Sequence, residues 1–490
     1  MSVSPSPAAE TTSPATGPPA PPPVARARRV LAITSLGVFI VFLDTTVVNV
    51  AFDTVSRSFD APVSRLVWVL NAYTLLFAAF LIPAGQLADQ YGRKRLFQIG
   101  LLGFALASAL CGIAPTLGFL VAARAAQGIF GAIIVPASLA LLLPAFPPER
   151  RGTAISTWGA MAAVATAIGP TLGALLIHGA SWRWVFWLNV PICLLTALWG
   201  VRSLPESHRP AVRGFPDPAG VAMVAVAPAL LSFAIVYGPR LGWLDARVWG
   251  ACALGVALVP ALVYRSRRAA FPALDLSLFR IRNFQASNLA TLAFSVAFFA
   301  FLLSSLLFLQ TVWHYSVLRS ALAVSPSALI TAIVAPQTGR LTDRFGHRAV
   351  FAAGALCYSL GTAALALRTG TTAHWATHWL PTLILNGIGV GLALSTLNNA
   401  AARALPAERF GVGTAINNTF RQLGAVLGVS VFTAVLGTPT AGALLGGYHR
   451  VWWLLAAVPA ASAVLYALAH REHTGRGNRE DRGDREDWRD

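Results

Sequence analysis

GQLADQYGRKR (85–95) and GRLTDRFGHR (339–348) are two copies of one pattern, G-x-L-x-D-x-x-G followed by basic residues. Each copy begins about 55 residues after the start of a long apolar run, at Val30 and at Phe284. One copy alone reads as a polar connector between two helices. Two copies at matched offsets read as a duplicated unit, so the chain is expected to hold two halves built on one plan. Their glycines suit a tight turn and a close approach of helices. Asp89 and, in the second copy, Asp343 are placed to accept hydrogen bonds from a helix N-terminus, and Arg93 to find acceptors nearby.

Between and around the two copies the sequence is mostly apolar. Of its 490 residues, 56% are hydrophobic and 11% charged, whereas a soluble domain carries roughly a quarter charged residues. Too few charges remain to cover a globular surface, and lipid is the natural solvent. A membrane-spanning helix needs roughly 20 apolar residues. Fourteen such runs are expected, near 30–52, 66–87, 96–114, 117–142, 153–178, 184–203, 218–238, 247–265, 284–309, 321–340, 349–367, 379–402, 412–436 and 451–469. This is an all-α membrane protein: a six-helix bundle over 29–203, a linker with two extra spans over 204–283, and a second six-helix bundle over 284–470. Parallel half repeats around a central cavity suit a secondary transporter. Residues 1–28, rich in Pro, Ala, Ser and Thr, are expected to be a disordered cytoplasmic tail, and 471–490, alternating in sign, a solvated cytoplasmic one.

Charge placement fixes an expected orientation. With the N-terminus inside, 27 of the 37 Lys/Arg fall in inside segments, 8 in outside loops and 2 within spans, a strong positive-inside bias. The outside loops carry tryptophans instead, as in WRWVFW (182–187) and GWLDARVW (242–249), which read as interface anchors. The net charge of +18 is therefore spread in clusters between apolar runs and does not point to nucleic acid. Cys111, Cys193, Cys252 and Cys357 are scattered through apolar runs with no metal-ligand or redox spacing. The first apolar run is too long for a signal-peptide core and is expected to stay as the first span.

Four features inside the spans carry chemistry. Asp44, in VFLDTTVVNVA, is the single acidic residue within any expected span. A carboxylate there costs several kcal/mol by most estimates, and burial favours its protonated form, so it is a candidate proton-coupling group. A permanent structural pair is the other reading. Arg124, in LVAARAAQGIFGA, lies at similar depth on the fourth span and is expected to face Asp44 directly or through polar relays; simple bracing is its alternative. Gln127, Gly128 and Gly131 follow on the same helix and suit close helix contact. Gly169, Pro170 and Gly173 make the fifth span bendable. Candidate cavity-lining residues are Asn49, Asn71, Tyr73, Gln127, Gln310, Asn417 and Arg421, although interhelical hydrogen bonding serves such side chains equally well. His178 and His314 sit near the outer surface and are not expected to couple protons.

These stretches together resemble the major facilitator superfamily and, within it, the fourteen-helix drug:proton antiporters. The matching segments are LDTTVVNVAF, GQLADQYGRKR, RAAQGIFGA, GPTLGALL, WRWVFWLNVPI, PALDLSLFRIRNF and GTAINNTFRQLGAVLG. The resemblance implies alternating access between two six-helix halves and export driven by proton entry. It implies a coupling role for Asp44, proton transfer at Arg124, and gating by Gly85, Asp89, Gly92 and Arg93 with Gly339, Asp343 and Gly346. It also implies that Gly169, Pro170 and Gly173 belong to the antiporter signature. The sequence departs from the family pattern at Asp53, where a proline is usual, and at Ala165, Ala174 and His314, where glycines are usual.

The expected function is proton-driven efflux of small lipophilic compounds such as drugs, antibiotics or dyes. The alternatives are export of one endogenous metabolite, or a membrane sensor that kept the fold. No phosphate-binding loop, metal-spaced His/Cys set or nucleophile with a base is present, so neither an enzyme nor a cofactor is expected. The expected partners are a small-molecule substrate, protons and the bilayer of the cell's inner membrane, with both termini cytoplasmic and the chain monomeric.

Overall fold

The computed structural model describes residues 24–206, 217–270, 272, 276–405, 410–437 and 443–469. Residues 1–23 of the expected N-terminal tail and the C-terminal tail 471–490 lie outside the described residues. Among the described residues, fourteen long helices make up the fold. The first half holds α1 (Val24–Phe59), α2 (Val63–Tyr91), α3 (Arg93–Gly112), α4 (Leu117–Leu142), α5 (Pro148–Gly179) and α6 (Trp184–Ser203). An extra pair follows, α7 (Pro218–Leu241) and α8 (Ala246–Ser266). The second half holds α9 (Arg282–Thr311), α10 (Val317–Val334), α11 (Thr338–Arg368), α12 (Leu380–Arg403), α13 (Phe410–Leu436) and α14 (Leu444–Ala469).

Among the described residues, twelve stretches are long and apolar enough to cross a membrane, and the bent α5 makes a thirteenth. One of the twelve, the 52-residue Val317–Arg368, is long enough for two crossings, and helical geometry breaks within it at Gly346. Helix α1 has 36 residues, or about 54 Å at 1.5 Å per residue. That exceeds the roughly 30 Å of a hydrocarbon core, and α1 begins at Val24, inside the stretch expected to be a tail.

The two copies of the opening pattern are not loops. In both, helix continues to the second glycine and turns sharply there. Gly92 has φ 108° and Gly346 φ 81°, a left-handed region that a side chain disfavours. Nothing between Gly85 and Gly92 forces the helix to stop, so α2 runs on through Asp89. The end of the bundle carrying both breaks is called the repeat end below.

The halves are joined unequally along their length. Phe52 and Val55 of α1, Trp182 and Phe186 around the α5–α6 turn, and Leu306, Trp313 and Trp452 of the second half meet at the far end in one buried core, which runs on along the second half through Phe294, Phe351 and Leu397. Toward the repeat end, Ile33, Phe97, Leu101 and Ala197 form a separate core within the first half. A third cluster joins Ile82 of α2 to Ile416 of α13, with Phe284 and Leu405. The extra helices are clamped to each other by a two-pronged ion pair, in which Arg265 donates to both oxygens of Asp217 at 2.7 Å. That hydrogen bonding holds the Asp217 carboxyl below the usual carboxylate range. Asp217 also caps α7 by accepting from the Ala219 amide.

The backbone separates glycines that the repeat treats alike. Gly92→Ala must place a Cβ at positive φ, 2.7 Å from Glu206 Oε1. Gly339 is helical, with nothing within 4 Å of its would-be Cβ. Gly92→Ala is expected to lower the thermal unfolding midpoint in detergent, at a cost of about 1–2 kcal/mol. Gly339→Ala is expected to leave the midpoint unchanged or raise it slightly.

Candidate functional site

Asp44 and Arg124 meet in the interior of the first half. Helices α1 and α4 bring them together, and both side chains are buried, at 0% and 1% exposure. Arg124 Nη1 donates to Asp44 Oδ2 at 2.5 Å. The other carboxylate oxygen, Oδ1, accepts from Gln127 Nε2 at 3.0 Å and from Asn189 Nδ2 at 2.8 Å. Ser108 Oγ on α3 accepts from the same two amides, at 2.6 and 3.1 Å. Arg124 Nη1 also reaches Gln127 Oε1, and its Nε donates to the carbonyl of Val69 on α2. Its guanidinium carbon lies 4.2 Å from the centre of the Tyr73 ring, a cation–π contact.

Five helices, α1, α2, α3, α4 and α6, thus contribute to one polar cluster. A charge-assisted pair of this kind offsets its desolvation only when the remaining donors and acceptors are also used. Helix α4 comes this close to α2 because Gly128 lies against the Tyr73 carbonyl, where a Cβ would sit 2.3 Å away. Gln127, expected to line a cavity, is fully buried and is a member of this cluster. Asn189 and Ser108 escape sequence reasoning. Asn189 is a lone amide at the start of an apolar run, a weak signal; Ser108 looks like any small residue in a helix.

The bendable helix touches the cluster's support. Helix α5 bends by 41° between Thr157–Thr166 and Ile168–Gly179. Pro170 supplies no N–H to the carbonyl of Thr166 and its ring crowds that carbonyl, which accounts for a bend one turn before it. Gly169 then seats on Thr46, two residues beyond Asp44, and Gly173 on Val47.

The repeat end shows how each pattern is used. Arg93 closes back on Asp89 within one helical turn of it, at 2.8 Å, and also donates to the Ala140 carbonyl of α4. Asp89 therefore takes its hydrogen bonds from Arg93. Glu206, just past α6, accepts from the Lys94 amide at 3.2 Å. In the second half Asp343 pairs with Arg403 of α12 at 2.8 Å, both exposed. Gly85 faces Pro136 of α4 at ordinary contact distance.

The expected cavity residues part company. Asn49 donates to the Thr45 carbonyl of its own helix. Asn71 bridges halves, donating to Ser232 of α7 at 2.9 Å and Ser430 of α13 at 3.3 Å. Asn417 donates to Asn288 and Thr291 of α9. The buried Gln310 Oε1 has no hydrogen-bond partner. Arg421 projects from α13 toward α1, with its guanidinium 5.4 Å from the Phe42 ring centre.

A sequence profile described as Major Facilitator Superfamily matches residues 34–429, most of both halves. The chain belongs to the Major Facilitator Superfamily. It is 36% identical over 411 residues to the multidrug resistance protein Stp of Mycobacterium tuberculosis, spanning 83% of this chain and 75% of that one. It is 34% identical over 409 residues to the puromycin resistance protein pur8 of Streptomyces alboniger, spanning 83% and 81%. Among solved structures, an auto-inhibited peptide transporter of the POT family superposes with a TM-score of 0.67 at 14% identity, over 91% of this chain and 98% of that one. The likeness to that structure is one of fold. This major facilitator chain is a multi-pass membrane transporter and not an enzyme.

Arg124→Leu leaves the Asp44 carboxylate buried without its counter-charge. It is expected to destabilise the protein by about 3–5 kcal/mol, seen as a lower unfolding midpoint in detergent. The double change Asp44→Asn with Arg124→Leu removes both charges and is expected to regain most of that loss.

Proposed function

We propose that the protein is a proton-driven antiporter that exports small lipophilic compounds by alternating access, and that Asp44 is its coupling carboxylate. The observation that carries this reading is the buried Asp44–Arg124 pair. A proton arriving at Asp44 removes the charge that Arg124, Gln127 and Asn189 hold. The guanidinium is then left buried without a counter-charge, a state several kcal/mol less favourable. Rearrangement of α1 against α4 relieves it. Helix α5 seats on α1 through Gly169 and Gly173, so movement of α1 reaches the proline bend directly. Return of the proton to the other side restores the pair.

Substrate export is supported by the likeness to a multidrug resistance protein and a puromycin resistance protein. The Lys/Arg distribution supports a reading in which the repeat end, with both termini, lies on the cytoplasmic side of the cell membrane. The chain works as a monomer and needs no cofactor, since the proton gradient supplies the driving force.

Everted vesicles loaded by energisation report the coupling. Wild-type protein is expected to move a lipophilic dye in a way that an uncoupler abolishes. Asp44→Asn together with Arg124→Leu is expected to lose the uncoupler-sensitive part entirely while dye still equilibrates down its gradient. Concentrative transport by that folded double variant would remove Asp44 from the mechanism.

A further inference from the structure

Two arginines lie deep in the spans, and only one has a carboxylate. Arg124 is neutralised by Asp44. Arg421 forms no ion pair among the described residues, and its buried Nε has no hydrogen-bond partner. It stands 11 residues into α13, at about 16 Å along the helix, so neither membrane surface is close. An isolated charge at such depth is costly and marks a functional position.

The exposure pattern shows what it faces. Between Gly37 and Phe52 of α1, every residue is buried except Phe39, Phe42 and Thr45, which share one side of the helix. On α13, Thr414, Asn418 and Arg421 keep partial exposure at spacings of four and three. That stripe lies between the side packed on α9, through Asn417, Gly424 and Gly428, and the side packed on α2, through Thr419. Two partly exposed stripes therefore lie at the seam between the halves, where the Arg421 guanidinium meets the Phe42 ring at 5.4 Å.

We infer that Arg421 recognises the anionic group of the transported compound, with Phe42 and Phe39 holding an aromatic body and Thr45 and Asn418 offering hydrogen bonds. The substrate class is then an aromatic organic anion or zwitterion, not a simple lipophilic cation. A carboxylate, phenolate or sulfonate supplies the counter-charge that the fold withholds, and a guanidinium binds such groups through paired N–H donors. Asp44 cannot supply it, because Arg124, Gln127 and Asn189 occupy its oxygens. The substrate charge is met by Arg421 of the second half, which faces Phe42, two residues before the proton site on α1.

This inference rests on the reading of the chain as an exporter, so its test is a binding measurement without any gradient. Purified protein in detergent is titrated with fluorescein, an aromatic anion, and with ethidium, an aromatic cation, by fluorescence polarisation. Arg421→Gln is expected to weaken fluorescein binding about tenfold or more and to leave ethidium unchanged or tighter. Arg421→Lys, which keeps the charge and loses the paired donors, is expected to bind fluorescein more weakly than wild type and more tightly than Arg421→Gln. Asn418→Asp, which sets a carboxylate one turn before Arg421, is expected to imitate Arg421→Gln and serves if that variant does not fold. Failure of wild-type protein to bind fluorescein, an equal loss of both dyes, or unchanged fluorescein binding in the folded Arg421→Gln or Asn418→Asp protein overturns the assignment. Loss of dye export with this charge selectivity intact would instead indict the coupling mechanism.

Discussion

The buried pair of Asp44 and Arg124 is the constraint around which the first half is arranged. Two charges removed from water are tolerable only if their own remaining lone pairs and protons find partners. Here that requirement draws in Gln127 from the same helix, Asn189 from α6, Ser108 from α3 and the Tyr73 ring and Val69 carbonyl from α2. The pair binds five helices into one unit. On the proposed coupling role of Asp44, stability and mechanism rest on the same contacts.

The second half repeats the scaffold without repeating the charge pair. Its helical break at Gly346 matches Gly92, and α13 packs on α9 through Gly424 and Gly428 much as α5 packs on α1 through Gly169 and Gly173. Where α1 carries Asp44, the interior of α9 carries aromatics: Phe294 and Phe301 pack against Tyr358 of α11. Duplication thus supplied the two rocking bodies. Divergence gave one half an internally compensated arginine and the other an arginine without a carboxylate.

The extra pair α7 and α8 is also integrated into the seam. Asn71 of α2, Ser232 of α7 and Ser430 of α13 form a hydrogen-bonded junction, with the two serine hydroxyls 2.6 Å apart. Interhelical polar contacts of this size contribute about 0.6–2 kcal/mol each in membranes. The first extra helix therefore rides on both halves at the line where they meet.

Much of this was legible in the amino-acid order. Apolar runs of spanning length, the Lys/Arg bias and the matched copies at Gly85 and Gly339 determine the number of helices and the two-half plan, because lipid demands continuous apolar helix. The depth of Asp44 and Arg124 along their helices was equally legible, since rise per residue is fixed. Tertiary structure alone decided the rest. Gln127 is a network member and not a cavity wall, Asn189 and Ser108 complete the carboxylate's hydrogen bonds, and Asn71 joins three helices. It also decided that, among the described residues, Arg124 is paired with a carboxylate while Arg421 is not. The reason is rotational: sequence spacing tells how deep a side chain sits, but which neighbour it meets depends on how each helix is turned against the others, and that is set by packing.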